Sequence, residues 1–485
     1  MSSDRTAGGP QVVVVVGASL AGLLAAAAAA QAGRAVTVLE RDELTGNPQP
    51  RKGVAQSSQP HVLLHRGLLD ATTLLPGLPR ALLDAGAVRI DTGTMPWFGP
   101  HGWQPSWISS FDVLSLTRPR LEHVVRTLVL GLPGVRVRTG SRVDGLQRDG
   151  VGWRVRCADG GSVWGDLVVD ASGRGSRMPS WLAALGHPRD EPETVDANLG
   201  YASRLYRRPD GAPLPTGIVV QATPEVPRGG LGLPVEDGGW MVLASGYGAD
   251  RPGRDVDLRQ YLATLRDPVL AEVLAGLEPV GKVSLHRQTG NRRHRYGLRR
   301  GWPSGLLVVG DALCAFNPLY GQGIAVGAGQ ARVLRDALGG RRWSSPRVQR
   351  RLRRVADFPW SVATGEDLRY LGMTGSASWL RRLSDAWTTE VGFLLMAGDR
   401  RAFRTFSRLY HLMGSPLELL HPALVLAAVR RHRRPATAAP PRPAVVASMI
   451  VPGPGQAQSS AGRSGPPRAR TVSSVSTSAG PSSGR

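Results

Sequence analysis

Three short apolar runs set the pattern of this chain: Val12–Val16, the centre of Asp166–Asp170, and Leu306–Val309. Runs of this length, rich in valine and closed by turn residues, predict strands buried on both faces. The first passes through Gly17-Ala18-Ser19-Leu20-Ala21-Gly22 into an alanine-rich helix, and a second strand, Ala35 to Leu39, ends on Glu40. Helical periodicity marks His65–Leu75, Pro79–Ala85, Leu258–Leu277, a long helix ending near Leu338, and most of 345–430. Leu116-Thr117-Arg118-Pro119 opens a further amphipathic helix, with Leu121, Val124, Val125, Leu128 and Val129 on one face. Alternation marks Val135–Val137, Trp153–Cys157 and the stretch Asn198–Tyr247, where Glu236-Asp237-Gly238-Gly239 reads as a hairpin turn. The aromatic-rich stretch 88–112 reads as strands, and a strand is expected at Lys282–Leu285. The fold class expected is α/β: a Rossmann-like domain interleaved with an antiparallel sheet, then a helical region and a disordered tail.

The strand–turn–helix–strand order of Val12–Glu40 is that of a dinucleotide-binding unit. Gly17 allows the sharp turn, the turn amides face a pyrophosphate, and Gly22 lets helix and strand pack closely. Glu40 lies where a carboxylate accepts hydrogen bonds from an adenosine ribose. Ser19 replaces the usual middle glycine. No second glycine turn is followed by an apolar helix, which disfavours enzymes with a separate pyridine-nucleotide domain.

Composition changes this picture little. The net charge is +23, but Lys52 and Lys282 are the only lysines, and residues 421–485 carry nine arginines and no acid. An arginine-biased composition with a basic tail accounts for the excess without specific nucleic-acid binding. Weak contact with an anionic membrane surface stays open through Leu417–Leu426 followed by Arg430, Arg431, Arg433 and Arg434, although a packed helix with a basic exit suits the same residues. Cys157 and Cys314 are isolated and offer neither a disulfide framework nor metal spacing, which fits a reducing cytoplasm. Cys157 reads as a packing residue. The apolar run Val12–Ala30 is broken by its glycine turn, so it reads as neither signal peptide nor membrane span. No metal site is expected, and the sequence leaves the oligomeric state open.

The three turns together, GASLAG with Glu40, Asp170-Ala171-Ser172-Gly173-Arg174-Gly175-Ser176, and Gly310-Asp311 through Pro318 to Gly323, resemble those of FAD-dependent monooxygenases of the aromatic hydroxylase and squalene epoxidase type. Arg51-Lys52-Gly53, Gln59 to Leu64, Arg118, Pro359-Trp360, Ala363-Thr364 and Glu366-Asp367 extend the resemblance, which spans roughly residues 11–375 and looks closest to bacterial polyether flavin epoxidases. Pro60 departs from the pattern, which bears on local pocket shape. The resemblance implies FAD held by Gly17, Ala18, Ser19, Ala21, Gly22, Glu40, Arg41, Arg51, Arg118, Asp311, Pro318, Gly321, Gln322 and Gly323. It implies NAD(P)H as transient reductant, or a partner flavin reductase, with O2 as co-substrate. It further implies oxygen transfer through a flavin C4a-hydroperoxide to a small lipophilic substrate, a polyketide or terpenoid of secondary metabolism. No catalytic side chain is then required. Substrate-pocket candidates are His61, Tyr201, Trp240 and Phe316.

The domains implied are a discontinuous FAD-binding domain (11–85, 114–186 and 297–345) and a substrate-binding sheet (86–113 and 187–296). A helical region (346–432) and a disordered basic tail (433–485) follow. Plainer readings stand beside these: Gly310-Asp311 as a strand end with an Asp cap, Asp170 as structural, Arg51 and Lys52 as a solvated pair, His61 as a packed histidine, and Cys314 as a small residue near the flavin. A flavin-dependent halogenase would need a Trp-x-Trp-x-Ile-Pro motif, whereas Trp103 and Trp107 are four apart. An isoprenoid-type double-bond reductase, an aromatic hydroxylase and a non-enzymatic lipid carrier remain alternatives.

Overall fold

The valines of the first run form the middle strand of a five-stranded parallel sheet, ordered Leu306–Val308, Leu167–Asp170, Val12–Val16, Ala35–Leu39, Val135–Arg138. The computed structural model describes residues 9–54, 56–188, 190–298, 301–371, 379–432 and 440–450. Val16 lies opposite both Leu39 and Asp170, and Asp170 lies opposite Val308. The strands therefore end at one level, and the turns that follow three of them share the carboxyl edge, where open α/β sheets bind ligands. The helix Leu20–Gln31 is buried on several sides, between the sheet and the helices Arg118–Leu130 and Gln322–Leu338. Its alanines permit this, because only small side chains allow so close an approach.

A second, seven-stranded sheet is ordered Glu278–His286, Leu199–Arg207, Trp240–Tyr247, Arg228–Pro234, Ile218–Val220, Trp97–Gly99, Gly102–Trp103. Strict alternation divides its two faces. Along Trp240–Tyr247, Trp240, Val242 and Ala244 join a core with the helices Leu258–Ala263 and Val269–Leu274, while Leu243, Ser245 and Tyr247 face the opposite side. The single helix expected over Leu258–Leu277 is thus two. Pro268 lacks an amide hydrogen and disfavours helical geometry in the residue before it, so the chain breaks there. Helices Ser345–Val355, Asp357–Tyr370, Trp379–Met396, Arg400–Tyr410 and Pro422–His432 follow. Among the described residues, no helix is long and apolar enough to cross a membrane.

The expectation of a disordered tail from 433 needs correction over 440–450. Ala444–Ala447 is a short helix, and Val446 and Met449 are fully buried in the core beside Trp240. Arg442 pairs with Asp267 at 2.6 Å and with Glu272 at 2.5 Å. The apolar VVASMI segment buries enough surface to dock within an otherwise Pro/Ala-rich sequence. Residues 433–439 and 451–485 lie outside the described residues.

His411 joins the C-terminal helices to the body. Its Nδ1 accepts from the His65 amide at 3.3 Å, so Nε2 carries the proton and donates to Thr92 Oγ1 at 2.7 Å. Burial first, then the nearby His65, lowers its pKa to about 4, with Asp91 and Asp112 acting weakly in the other direction. The unfolded chain binds this proton below about pH 6.5 while the fold refuses it until about 4. Its contribution is therefore intact above 6.5 and drains away as pH falls towards 4. Denaturant unfolding at pH 5, 6 and 7 should show His411→Gln losing about one proton's worth of this slope. An unchanged slope would remove His411 from the account.

Candidate functional site

The first turn is fixed by two glycines. Gly17 adopts φ +103°, and a Cβ there would lie 2.7 Å from the Ala171 carbonyl oxygen. A Cβ on Gly22 would lie 1.9 Å from the Gly17 carbonyl oxygen. Ser19 begins the helix, yet its hydroxyl caps no amide and accepts instead from Arg118 Nη2 at 2.8 Å. The first-turn amides of that helix are left without a side-chain acceptor, the arrangement that receives an anion.

Glu40 is 5% exposed and accepts from the amides of Ala18 at 2.7 Å and Asp42 at 2.9 Å. Arg51 Nη1 pairs with Glu40 at 3.2 Å, and Arg51 Nη2 bonds both the Ala18 carbonyl and the Glu122 carboxylate. Arg118 Nε completes the cluster at 3.4 Å from Glu122. The solvated-pair reading of Arg51 and Lys52 fails for Arg51, whose guanidinium is buried between two carboxylates that raise its pKa against the opposing effect of burial. Its Nε is buried and has no hydrogen-bond partner among the described residues.

The second turn is tied from within. Asp170 is fully buried and accepts from the Ser172 amide at 3.0 Å and from the hydroxyls of Ser172 and Ser176. Burial raises its pKa, partly offset by these bonds. Asp170 is thus a structural clasp, behind a cavity wall to which Ala171–Gly175 contribute.

At the third turn, Gly310 adopts φ +59° and its amide donates to Gln330 Oε1 at 2.7 Å. Asp311 faces the cavity, 3.8 Å from Arg174 Nε, and caps no amide among the described residues, so the Asp-cap reading does not hold. Pro318–Tyr320 forms one tight turn, Gly321 is left-handed at φ 64°, and the helix Gln322–Leu338 starts there without a side-chain cap. A Cβ built on Gly323 would meet nothing nearer than Asp311 Oδ1 at 3.8 Å, so the space before this helix is open. Gln322 Oε1 is buried without a partner among the described residues.

All three turns open into one cavity of about 1490 Å³. Gly17, Ser19, Ala21, Glu40, Arg41, Arg51 and Arg118 line one end, and Asp311, Pro318, Gly321, Gln322 and Gly323 line its wall at the third turn. Ala18 and Gly22 lie just behind the wall. His61, Tyr201 and Phe316 line the cavity too. Beyond them it is bounded by Leu231, Leu243 and Tyr247 from the large sheet, and by Leu395, Phe406 and Leu419 from the C-terminal region.

Trp240 is a correction to the pocket candidates. Its position in the alternation turns it to the far face, where its indole packs on Gly232 and Nε1 donates to the Thr216 carbonyl. His61 Nδ1 donates to the Gln59 carbonyl at 2.8 Å, leaving Nε2 unprotonated. Burial and then Arg118 lower its pKa to about 3, so near neutral pH it is an acceptor and no general acid. Cys157 is a core residue, and burial drives the Cys314 thiol far up, away from reactivity. Arg174 belongs to the second-turn motif, and its own role comes from the structure. It spans the second and third turns through the carbonyls of Gly290 and Phe316, a role that depends on chain segments over a hundred residues apart.

Two helix N-termini without side-chain caps, an orphaned Arg51 Nε, an orphaned Gln322 Oε1 and glycines packed too closely for a Cβ together suit a long anionic dinucleotide. Comparison with known proteins agrees. Residues 12–194 match the family described as FAD dependent oxidoreductase, and the chain belongs to the FAD-dependent oxidoreductases. It is an enzyme of that class, with FAD as its cofactor. It is 34% identical over 343 residues to Protein Rv3254 of Mycobacterium tuberculosis, covering 67% of this chain and 72% of that protein. It is 28% identical over 427 residues to 3-demethoxyubiquinol 3-hydroxylase of Escherichia coli, covering 84% and 99%. The crystal structure of Klebsiella pneumoniae HpxO complexed with FAD shares the fold, with TM-score 0.61 at 19% identity over 84% of this chain and all (100%) of that one.

Proposed function

We propose that this enzyme is a monooxygenase that inserts one oxygen atom into a lipophilic polyketide or terpenoid, with epoxidation of an alkene as the first reading and ring hydroxylation as the second. The carrying observation is the continuity and size of the cavity. At about 1490 Å³ it exceeds the roughly 300–1000 Å³ of ordinary ligand pockets and leaves room for a substrate beside a dinucleotide. When bound, FAD supplies the redox chemistry. Glu40 would accept from ribose hydroxyls, and the amides after Gly17, with Arg51 and Arg118, would hold the pyrophosphate. Asp311 would accept from the ribityl chain, and the open amides at Gly321–Gly323 would favour negative charge beside the ring. The apolar walls from the sheet and the C-terminal region would exclude water. The reductant is NAD(P)H bound transiently, or a separate flavin reductase, in the cytoplasm.

The test is reconstitution with FAD followed by turnover of candidate polyenes under labelled oxygen. A product heavier by one labelled atom is expected, with NAD(P)H oxidation that depends on substrate. Anaerobic turnover to a product with one fewer double bond would replace this reading with a reductase.

The same lipophilic substrate would be collected from an anionic membrane surface. Leu417 is 72% and Leu420 65% exposed, and Val425, Leu426 and Val429 continue an exposed apolar stripe to the exposed Arg430. Leu424 and Ala428 pack inward. Leu419, between the first two, lines the cavity. Co-sedimentation with vesicles of anionic phospholipid, weaker with zwitterionic ones and lost in Leu417→Glu/Leu426→Glu, is expected. A concentration-dependent dimer abolished by the same changes would instead assign the stripe to a second copy.

A further inference from the structure

We propose that Asp367 is a positioning residue that sets the Asn317–Gly321 turn, and with it the open end of the Gln322 helix, against the cofactor. The proposal rests on the FAD site described above and adds to it a residue that does not line the cavity. Asp367 is 1% exposed and comes from the helix Asp357–Tyr370, whose Trp360 and Ala363 pack into the parallel-sheet core. Its Oδ2 accepts from Asn291 Nδ2 at 2.6 Å, and its Oδ1 accepts from Asn317 Nδ2 at 3.0 Å and Tyr320 OH at 3.3 Å. Three donors converge on one acceptor, and only a carboxylate offers enough lone pairs.

The order of these bonds settles the orientation of both asparagines. With its Nδ2 committed to Asp367, Asn317 turns Oδ1 towards Tyr201 OH at 2.5 Å and the Leu319 amide at 3.1 Å. Asn291, held the same way, offers Oδ1 to the Asn317 amide at 2.8 Å. One carboxylate therefore ties the segment after the large sheet, the backbone entering the turn and the turn's own Tyr320. Burial raises the Asp367 pKa to about 6, while the bonds from Asn317, Asn291 and Tyr320 act to lower it. The network holds its charge only while those donors are aligned.

A polarity swap tests this. Asp367→Asn replaces one of the two acceptor oxygens with an NH2, which must face the Nδ2 of either Asn317 or Asn291, and Asn317→Asp sets one carboxylate against another. The double variant Asn317→Asp/Asp367→Asn restores complementarity, because the carboxylate introduced at position 317 would still accept from Tyr201 OH and the Leu319 amide. Each single variant is expected to weaken FAD binding about tenfold or more and to change the visible circular dichroism of bound flavin. The double variant is expected to recover to within about threefold of wild type, a coupling that independent sites do not show. Tyr320→Phe, which keeps the ring and removes only the hydroxyl that bonds Asp367 and also meets Tyr247, is expected to give the same spectral change at smaller amplitude. It remains informative if the single swaps fold poorly. Wild-type affinity and spectrum in Asp367→Asn, purely additive losses in the double variant, or a silent Tyr320→Phe would each overturn the assignment. Failure of the wild-type protein itself to take up FAD would instead remove the site on which it rests.

Discussion

Gly22→Ala is expected to yield protein that retains less than about a tenth of the wild-type flavin, with the two sheets still folded. The added methyl would sit 1.9 Å from the Gly17 carbonyl oxygen, 2.9 Å from its carbon and 3.3 Å from Ala171 Cβ. The first two are backbone atoms. They cannot withdraw, because Gly17 is itself pressed against Ala171 and its N–H donates a hydrogen bond to the Leu39 carbonyl at 2.8 Å. The helix must therefore slide from the strand, at a cost of about 1–3 kcal/mol for overpacking of this kind. That movement carries the amides away from the pyrophosphate, so the dissociation constant should rise on the order of a hundredfold, equivalent to about 2.7 kcal/mol. The flavin-to-protein absorbance ratio after gel filtration, beside far-ultraviolet circular dichroism, reads both effects. A full flavin complement would refute the account of this turn.

Arg51→Met should destabilise the fold by about 3–5 kcal/mol, because it leaves Glu40 and Glu122 buried without their shared cation. Glu40 keeps the amides of Ala18 and Asp42, whereas Glu122 keeps, among the described residues, the long contact from Arg118. Adding Glu122→Gln to Arg51→Met should therefore recover a substantial part of the loss. Arg51→Lys should recover little, since a single ammonium cannot reach Glu40, Glu122 and the Ala18 carbonyl at once. Urea unfolding with and without excess FAD separates the two consequences. The stability loss appears in both series, and the loss of cofactor linkage appears as a smaller FAD-induced shift. Equal stability of Arg51→Met and wild type would show that the cluster is solvated.

The parts legible in sequence are those set by neighbours in the chain. Five consecutive valines can only be a strand covered on both faces, and glycines at 17 and 22 announce a turn with no room for side chains. The misplacement of Trp240 shows how narrow the margin is. Trp240 stands among the pocket candidates, yet the alternation of Trp240–Tyr247 puts it on the face opposite Leu243 and Tyr247. The helix break at Pro268 was likewise written locally and outweighed by the apolar periodicity around it. The apolar run VVASMI marks Val446 and Met449 locally but does not decide their docking, because a short apolar segment in a Pro/Ala-rich stretch becomes ordered only where a partner surface exists.

For this protein the sequence alone determined three buried strands, the turns that end them, the acid at position 40 and so a dinucleotide-binding enzyme. Only the tertiary structure decided that these turns share one edge and open into one cavity with the large sheet and the C-terminal helices. It also decided which of three acids serve the wall: Asp170 clasps its own turn, Asp311 faces the cavity, and Asp367 orders Asn291 and Asn317 from behind. The physical reason is range. Strand burial, turn geometry and even the Asp170 clasp, whose donors Ser172 and Ser176 lie two and six positions on, follow from nearby residues, whereas the role of Asp367 depends on donors 47 to 76 positions away.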